Sequence, residues 1–344
     1  MKNLTPIIIS LIAAVMLQAC GSGSKKSQPP VAPVVVVAPT EPIAVHHIQP
    51  DAVAEYVENF KTQQAEIKLQ IEGAKYDIEL IDIYPSESVI LTRYEHGYVL
   101  IGFNFDEGEP VNFLRIVDSS LPSFEEAQDN PDRVLDGTDF TISEESDNAV
   151  FTGSITDVAT QGIYTIRLAF NESLIDGGSS VIEVSGNKAT VNGDLGTKTY
   201  IQVANLIDNH PEVKTLVLQE ISGSINDAIN MHTGRLIRNA QLTTMVEATS
   251  DVNSGGVDLY SSGAQRIYTV GAKLGVHSWC CTDGKAADEL GRDHAGHAEQ
   301  LTYFREMLGV ELGPEFYFFT IEASPFDSVH VMTKEEVDKY LLIP

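Results

Sequence analysis

Positively charged residues and cysteines are scarce in this sequence. Its 344 residues include 22 Lys and Arg against 49 Asp and Glu, which gives a formal net charge of −27 at pH 7. A surface of this sign repels phosphate groups, so the charge argues against nucleic acid and anionic lipid surfaces as partners. With only three cysteines, the chain does not build a disulfide framework.

The N-terminal apolar run is also short. Pro6 to Leu17 cannot span a bilayer, which takes about 20 residues, but it is typical of a secretory signal. The run ends in Leu17-Gln-Ala-Cys20, which resembles a bacterial lipobox; the alternative is a plain signal peptide with an incidental cysteine. The resemblance implies a signal peptide over 1–19 and a lipidated Cys20. Because Gly21 follows, it also implies the periplasmic face of the Gram-negative outer membrane.

Two regions of different pattern precede the C-terminal part. Residues 20–50 are rich in proline and valine, which predicts an extended tether. Residues 51–185 begin with a helical pattern and continue as short alternating apolar runs separated by turns such as Asp136-Gly137. Several strands at this spacing predict a β-rich, sandwich-like domain. It contains no catalytic constellation, so we expect it to bind a ligand or to space the next domain from the membrane.

Residues 186–344 alternate strand and helix patterns, which predicts an α/β domain with a parallel sheet. Val213 to Ile221 has the length and composition of a buried strand, and Ser222-Gly-Ser224 ends it. A small-residue turn that opens a helix points backbone N–H groups toward an anion, as an oxyanion hole requires. The sequence therefore predicts an anion-binding turn after this strand.

A second turn of this kind ends in Ser254-Gly-Gly256, where the serine begins a predicted helix. Ser254 is either a nucleophile or merely the N-cap of that helix. A serine nucleophile needs a base within hydrogen-bond reach. His277, which ends the strand predicted over Leu274 to His277, is a candidate base, and a purely structural histidine is the alternative.

A resemblance to the ClpP/crotonase superfamily, above all to its secreted bacterial branch, rests on four runs. They are Gly234-Arg-Leu-Ile-Arg238, Ser254-Gly-Gly256, Gly263-Ala-Gln-Arg266 and Gly271-Ala-Lys-Leu-Gly-Val-His-Ser-Trp279. The resemblance covers roughly Gly186 to Leu342. It implies a spiral of ββα units in which Ser254 is the nucleophile and His277 its base, as in ClpP-like serine peptidases.

The chain departs from the pattern of that family in two places. The family has Pro-Gly-Gly after the first strand, whereas this chain has Ser222-Gly-Ser-Ile225. We expect the oxyanion hole from the backbone of Gly223, Ser224 and Ile225, with Gly255. The third member of the family's triad is an aspartate in a late segment, which falls on Asp327, and His330 is a rival for orienting the base.

An insertion after Trp279 offers a weaker alternative. His294 and His297 have the spacing of two zinc ligands, with Cys280 or Asp293 as a third. Helix capping and packing also explain these histidines. The neighbouring Cys280 and Cys281 are either free thiols or a vicinal disulfide.

Together these observations predict a lipid-anchored, periplasmic serine hydrolase, specifically a peptidase, that acts on a peptide or small acyl substrate without a cofactor. Export argues against coenzyme A as a substrate. The resemblance alone also leaves open that the chain forms a homo-oligomer. The altered glycine turn motivates a second hypothesis, a catalytically inactive binding or scaffold lipoprotein, because a fold does not decide a function.

Overall fold

The computed structural model describes residues 43–342, which contain two β-sheets with helices packed against them. The described residues from Ala44 onward belong to one compact unit. The predicted signal peptide, Cys20 and the tether up to residue 42 lie outside the described residues. Within the described range, no helix combines the length and the apolar character needed to cross a membrane.

The first part of the chain is a helix followed by ten strands and two short helices. The strands are β1 (Lys68–Ile71), β2 (Ala74–Tyr76), β3 (Glu79–Tyr84), β4 (Val89–Tyr94), β5 (Gly97–Asn104), β6 (Glu109–Asp118), β7 (Arg133–Gly137), β8 (Phe140–Glu145), β9 (Asn148–Asp157) and β10 (Ile163–Phe170). The helices are α1 (Val53–Glu66), α2 (Phe124–Asp129) and α3 (Ser173–Asp176).

These ten strands form one antiparallel sheet in the order β2-β1-β10-β9-β7-β6-β5-β4-β3, with β8 paired to β9. Alternate side chains such as Leu69, Ile101 and Phe151 are fully buried in its core, as the alternating pattern predicts. The sandwich-like arrangement is not confirmed, because the strands share one continuous hydrogen-bonded sheet. Alternation within a strand indicates a buried face, but it does not show whether that face meets a second sheet.

The second part alternates strands and helices. The strands are β11 (Val181–Ser185), β12 (Lys188–Asn192), β13 (Thr215–Ile221), β14 (Thr243–Asn253), β15 (Gln265–Tyr268), β16 (Lys273–Val276) and β17 (His330–Val331). The helices are α4 (Thr197–Asn209), α5 (Asp227–Asn239), α6 (Gly255–Ser261), α7 (Ala298–Leu308), α8 (Leu312–Ala323) and α9 (Lys334–Tyr340).

The second sheet runs β11-β12-β13-β14-β16-β17, and β15 also pairs with β14. The pairs from β12 through β16 are parallel, while the edge strands β11 and β17 are antiparallel. The mixed α/β class and the parallel centre agree with the prediction, and the ββα spiral stays a prediction. β11 lies before the predicted domain boundary at residue 186 yet pairs with β12, so pairing crosses that boundary.

Strand β14 is longer than its sequence suggests. The pattern predicts a strand over Thr243 to Ala248 and then a polar turn, but the strand continues to Asn253. A bulge in the ladder with β13 lets the polar residues pair, and the Ser250 hydroxyl donates to the Leu218 carbonyl at 2.7 Å. In the sequence, a run of small polar residues favours a turn. In the structure, pairing with β13 and β16 keeps these residues in an extended strand.

The end of the predicted tether is held against the α/β part. The Val45 N–H donates to the Thr302 hydroxyl of α7 at 3.0 Å. Nε2 of His232, on α5, donates to the Ile48 carbonyl at 2.8 Å. The tether predicted over residues 20–50 therefore ends in a segment that packs on two helices of the second part.

Candidate functional site

Ser254 and His277 lie side by side because they follow neighbouring parallel strands. Asn253 at the end of β14 pairs with Gly275 of β16, and the Ser254 N–H donates to the Gly275 carbonyl at 2.8 Å. The carboxyl ends of parallel strands meet at one edge of the sheet. Both side chains accordingly line a single cavity of about 40 Å³.

Ser254 has an unusual backbone conformation. Its φ is 51° and its ψ is −126°, a region that non-glycine residues rarely occupy. The residue stands at the N-cap position of α6, but its side chain makes no capping hydrogen bond. The N-cap explanation of this serine therefore fails, because its hydroxyl does not cap the helix. The residue lines the cavity instead. Backbone strain of this kind, of the order of 1–3 kcal/mol, concentrates at functional sites.

The ring of His277 is held in one tautomer. Its Nδ1 lies 2.6 Å from the carbonyl oxygen of Ser278. A carbonyl only accepts, so Nδ1 is the protonated nitrogen and Nε2 keeps its lone pair. The Ser278 N–H in turn donates to the Ser324 carbonyl at 2.8 Å, which fixes the residue that orients the ring. His277 thus has the tautomer that a general base needs, with a backbone carbonyl as its orienting group.

Two carboxyl groups face the same cavity as Ser254 and His277. Asp227 opens the first turn of α5, and Asp258 lies on α6. Asp258 is half-buried, whereas Asp227 is exposed over part of its surface, and both line the cavity. The Ser224 hydroxyl donates to the Asp227 carboxylate. The site therefore combines one hydroxyl, one imidazole and two carboxyl groups.

Enclosure changes the acidity of these two carboxyl groups. Burial raises the pKa of Asp227 and the charge of Glu299 raises it further, while the Ser224 hydroxyl and His277 lower it. Burial, and then the charge of Asp227, hold the pKa of Asp258 well above its ordinary value. Two neighbouring carboxylates in a poorly hydrated site do not both ionise easily. The interaction between Asp227 and His277 also gives an imidazolium at His277 a nearby counter-charge.

Helix α7 contributes to the wall of this cavity a hydrogen-bond acceptor that has no donor. Oε1 of Gln300 is buried, borders the cavity and has no hydrogen-bond partner among the described residues. A buried acceptor of this kind costs free energy unless a donor reaches it. A ligand that brings an N–H group into the cavity would satisfy it.

The residues predicted to form an oxyanion hole divide into two sets. A Cβ placed on Gly223 would lie 3.6 Å from Ser254 Oγ, and one on Gly255 would overlap the Ser224 side chain, so the two turns pack closely. Within residues 43–342, the N–H groups of Gly223, Ser224 and Gly255 have no partner. The Ile225 N–H, in contrast, donates to the Leu195 carbonyl at 2.8 Å, so Ile225 has no N–H to offer.

The predicted third triad member lies elsewhere. Asp327 is exposed in the turn before β17 and does not line the cavity. Its rival His330 pairs across the sheet with Val276, but its Nε2 contacts Glu336 at 2.9 Å. Neither side chain lines the cavity that contains His277. The carboxyl groups at the cavity are those of Asp227 and Asp258.

In the sequence, Asp227 lies at the start of a helical pattern, where its charge matches the helix dipole. No role was predicted for Asp258. A signal for Asp258 was present, because it follows Ser254 by four residues and therefore lies on the same face of a helix that begins there. For Asp227 and Gln300, no local signal exists. Their approach to Ser254 depends on how α5 and α7 pack against α6.

The histidines proposed as zinc ligands are used otherwise. His297 is buried, and its Nδ1 contacts the Tyr317 hydroxyl at 2.7 Å. Nδ1 of His294 accepts from the Gly296 N–H at 3.1 Å. The described residues contain no group of three or more His, Cys, Asp and Glu side chains placed to hold a metal ion. Cys280 and Cys281 are joined as a vicinal disulfide.

Comparison with known proteins finds likeness in solved structures. The sequence matches no family model and no curated protein. An enoyl-CoA hydratase from Bacillus anthracis is 11% identical, covers 47% of this chain and 68% of its own, and has a TM-score of 0.32. A mutant of the membrane-bound stomatin-specific protease 1510-N, solved with a substrate peptide, is 17% identical over 45% of this chain and 71% of its own, with a TM-score of 0.34.

A second mutant of that protease is 16% identical over 46% of this chain and 79% of its own, again with a TM-score of 0.34. Identities below 25% and TM-scores below 0.5 carry no argument about activity.

Proposed function

We propose that this protein is a serine hydrolase, and specifically a peptidase, in which Ser254 and His277 are the catalytic pair. One observation carries the proposal. Ser254 adopts a strained conformation, its hydroxyl does not cap the helix, and the residue lines the same cavity as His277. A turn that merely began a helix would need neither feature.

The proposed reaction uses the available lone pair of His277. Nε2 removes the proton from Ser254 Oγ as the oxygen attacks the substrate carbonyl, and the same nitrogen then protonates the leaving amine. The N–H groups of Gly223, Ser224 and Gly255 stabilise the negative charge on the carbonyl oxygen. Water then attacks the acyl ester while Nε2 of His277 takes its proton, and His277 passes that proton to Ser254 Oγ as the bond to the acyl group breaks.

In this proposal Asp227 takes the part first assigned to Asp327. It borders the same cavity as His277, and the two interact electrostatically. An ionised Asp227 therefore favours the imidazolium that forms in the first step. Orientation of the ring comes from the Ser278 carbonyl instead, so the two roles that one aspartate plays in a Ser-His-Asp triad are divided here.

A peptide suits the cavity better than a simple ester. The walls offer the unpartnered oxygen of Gln300 and the two carboxyl groups, all of which accept hydrogen bonds. A peptide supplies an amide N–H at each residue, whereas an ester oxygen supplies none. Recognition of a backbone N–H by Gln300 would satisfy the buried acceptor.

A fluorophosphonate probe tests the catalytic pair, because it reacts with an activated serine. We expect the wild type to be labelled and the Ser254→Ala variant to lose labelling, since the reacting oxygen is gone. Ser262→Ala is the matched control, because Ser262 follows the same helix and its hydroxyl donates to the Leu259 carbonyl. Equal labelling of wild type and Ser254→Ala would remove Ser254 from the proposed role.

An inactive binding or scaffold protein is the second candidate. Two observations favour it: no hydrogen bond joins Ser254 and His277 within the described residues, and the cavity of about 40 Å³ has room for roughly one water molecule. A substrate group can enter only if a wall moves. Under this alternative the wild type would not react with the probe at all.

We also propose that Cys20 carries a lipid that anchors the chain at the periplasmic face of the outer membrane. The lipobox-like Leu17-Gln-Ala-Cys20 and the following Gly21 support this. Metabolic labelling with palmitate should mark the wild type, while a Cys20→Ser variant should remain unlabelled. Labelling of that variant would place the lipid on another residue.

A further inference from the structure

A second and much larger cavity, here called the groove, lies between the first sheet and the turn that precedes α5. It has a volume of about 790 Å³, in the range of ligand-binding clefts. Strands β5, β6 and β8 to β10 supply most of its walls, and Tyr56 of α1 and Ile225 close it. The groove therefore lies mainly in the β-rich region over residues 51–185, where the sequence shows no catalytic constellation.

The floor of the groove is apolar. Phe103, Ile142, Phe170, Ile175 and Ile225 line it, and all but Phe170 keep part of their surface accessible. Covering such surface with a ligand is favourable by about 25 cal/mol for each Å² removed from water. A ligand that fits here therefore carries apolar groups.

The rim is acidic and unneutralised. Glu109, Glu144, Asp147 and Glu172 are exposed along it, and no Lys, Arg or His is among the described residues that line the groove. None of these four carboxylates forms an ion pair with another described residue. A fifth carboxylate, Asp176, is already bound by the hydroxyls of Tyr56 and Thr197 and by the Asn226 amide.

One short turn separates the groove from the cavity of Ser254. Ile225 lines the groove, and Asp227, two residues later, lines the smaller cavity. Asn226 between them caps α5 by accepting from the Ile229 N–H at 3.2 Å and also bonds Tyr56 and Asp176. A chain lying in the groove would therefore contact the segment that connects the groove to the cavity of Ser254.

We propose that the groove binds an extended peptide segment in which lysine or arginine alternates with apolar residues. Its charge matches the rim, and its apolar side chains match the floor. A bare metal ion fits poorly, because no metal-holding cluster is found among residues 43–342. As a recognition surface for the substrate of Ser254, the groove rests on the proposed function; as a binding site, it does not.

Fluorescence polarisation with a labelled peptide of alternating lysine and leucine tests the proposal. The full chain carrying Ser254→Ala is used, so that binding is measured without hydrolysis and a failure of the serine chemistry leaves this result intact. We expect saturable binding at low salt that weakens in 1 M salt, where the screening length falls to about 3 Å. A peptide of alternating glutamate and leucine should not bind.

The rim is tested with Glu109→Gln, Glu144→Gln and Asp147→Asn combined. Loss of three complementary charges should raise the Kd at least about threefold. The matched control combines Glu95→Gln, Glu183→Gln and Asp51→Asn, which removes the same charge from exposed residues away from the groove. We expect the control to keep the Kd of the parent. Circular dichroism checks that both triple variants fold.

Two results would overturn the proposal: equal affinity of the two triple variants, or equal binding of the lysine and glutamate peptides. Photo-cross-linking provides a measurement that does not depend on the triple variants. A lysine–leucine peptide with a photoreactive group should attach to residues 103–110 or 142–149 of the Ser254→Ala chain. Attachment only to other segments also rejects the groove.

Discussion

The small cavity at Ser254 and the large groove beside it lie on opposite sides of one turn, and both are lined with carboxyl groups. In the small cavity, Asp258 is half-buried and Asp227 keeps an exposed part of its surface, and burial is the main cause of the raised pKa of both groups. In the groove, Glu109, Glu144 and Asp147 stand exposed at the rim. The same residue types are therefore suited to different tasks.

The difference shows that enclosure, more than residue type, decides what a carboxyl group does. Removing a carboxylate from water favours its protonated form, and a second carboxylate nearby strengthens the effect. At an exposed rim, water screens each charge, and several charges together act only by steering a partner of opposite sign. We accordingly assign chemistry to the small cavity and recognition to the groove.

Of the variants that test this difference between the two sites, His277→Gln should have the largest effect. Loss of the general base should slow reaction with the fluorophosphonate probe about 10²- to 10⁴-fold. Binding of the lysine–leucine peptide should not change, since His277 does not line the groove. The rate of labelling and the Kd are measured on the same preparation.

His330→Gln is the matched control, because His330 lies next to Val276 in the sheet but contacts Glu336 instead of the cavity. This variant should label at the rate of the wild type. If both histidine variants lost the same activity, the base could not be assigned to His277. A loss of peptide binding in His277→Gln would show that the two cavities are not separate sites.

A smaller effect is expected when a variant of an enclosed carboxyl group is compared with a variant of an exposed one. The pKa of folded Asp258 is raised above its unfolded value of about 3.9, so the folded state holds the proton more tightly. Its contribution to stability is fully present below pH 3.9 and is lost as the pH rises through the folded pKa. Asp258→Asn should therefore raise the urea midpoint at pH 7, and the gain should disappear near pH 4.

Asp147→Asn serves as the control for this measurement, because Asp147 is exposed at the groove. We expect its urea midpoint to follow the wild type at both pH values. A destabilised Asp258→Asn at pH 7 would contradict the sign of the argument and would mean that the ionised carboxylate is stabilised by its surroundings.

Local patterns predicted much of the second part of the chain. Apolar residues at helical spacing between Thr197 and Asn209 predict a helix, and α4 has those bounds. Thr333 and Glu336 have the spacing of a capping box, which the structure forms at the start of α9. These features depend on neighbours in sequence. The extension of β14 to Asn253 was missed, because it depends on ladders with β13 and β16.

Part of the candidate site could also be found in this way. The sequence paired Ser254, at the start of a predicted helix, with His277, at the end of a predicted strand, and in the structure both residues line one cavity. Asp327 and Ile225 could not be judged from sequence. The side chain of Asp327 is exposed, and the N–H of Ile225 is taken by Leu195, a residue 30 positions earlier.

The sequence alone determined where most strands and helices form and singled out Ser254 and His277 as candidate site residues, because periodicity, capping and turn chemistry act over a few residues. Only the tertiary structure decided which carboxyl groups surround Ser254 and where the groove opens. Those outcomes depend on how α5, α6 and α7 pack and on how the first sheet meets the turn before α5. Enclosure and pKa are properties of surroundings contributed by distant segments, so no local pattern encodes them.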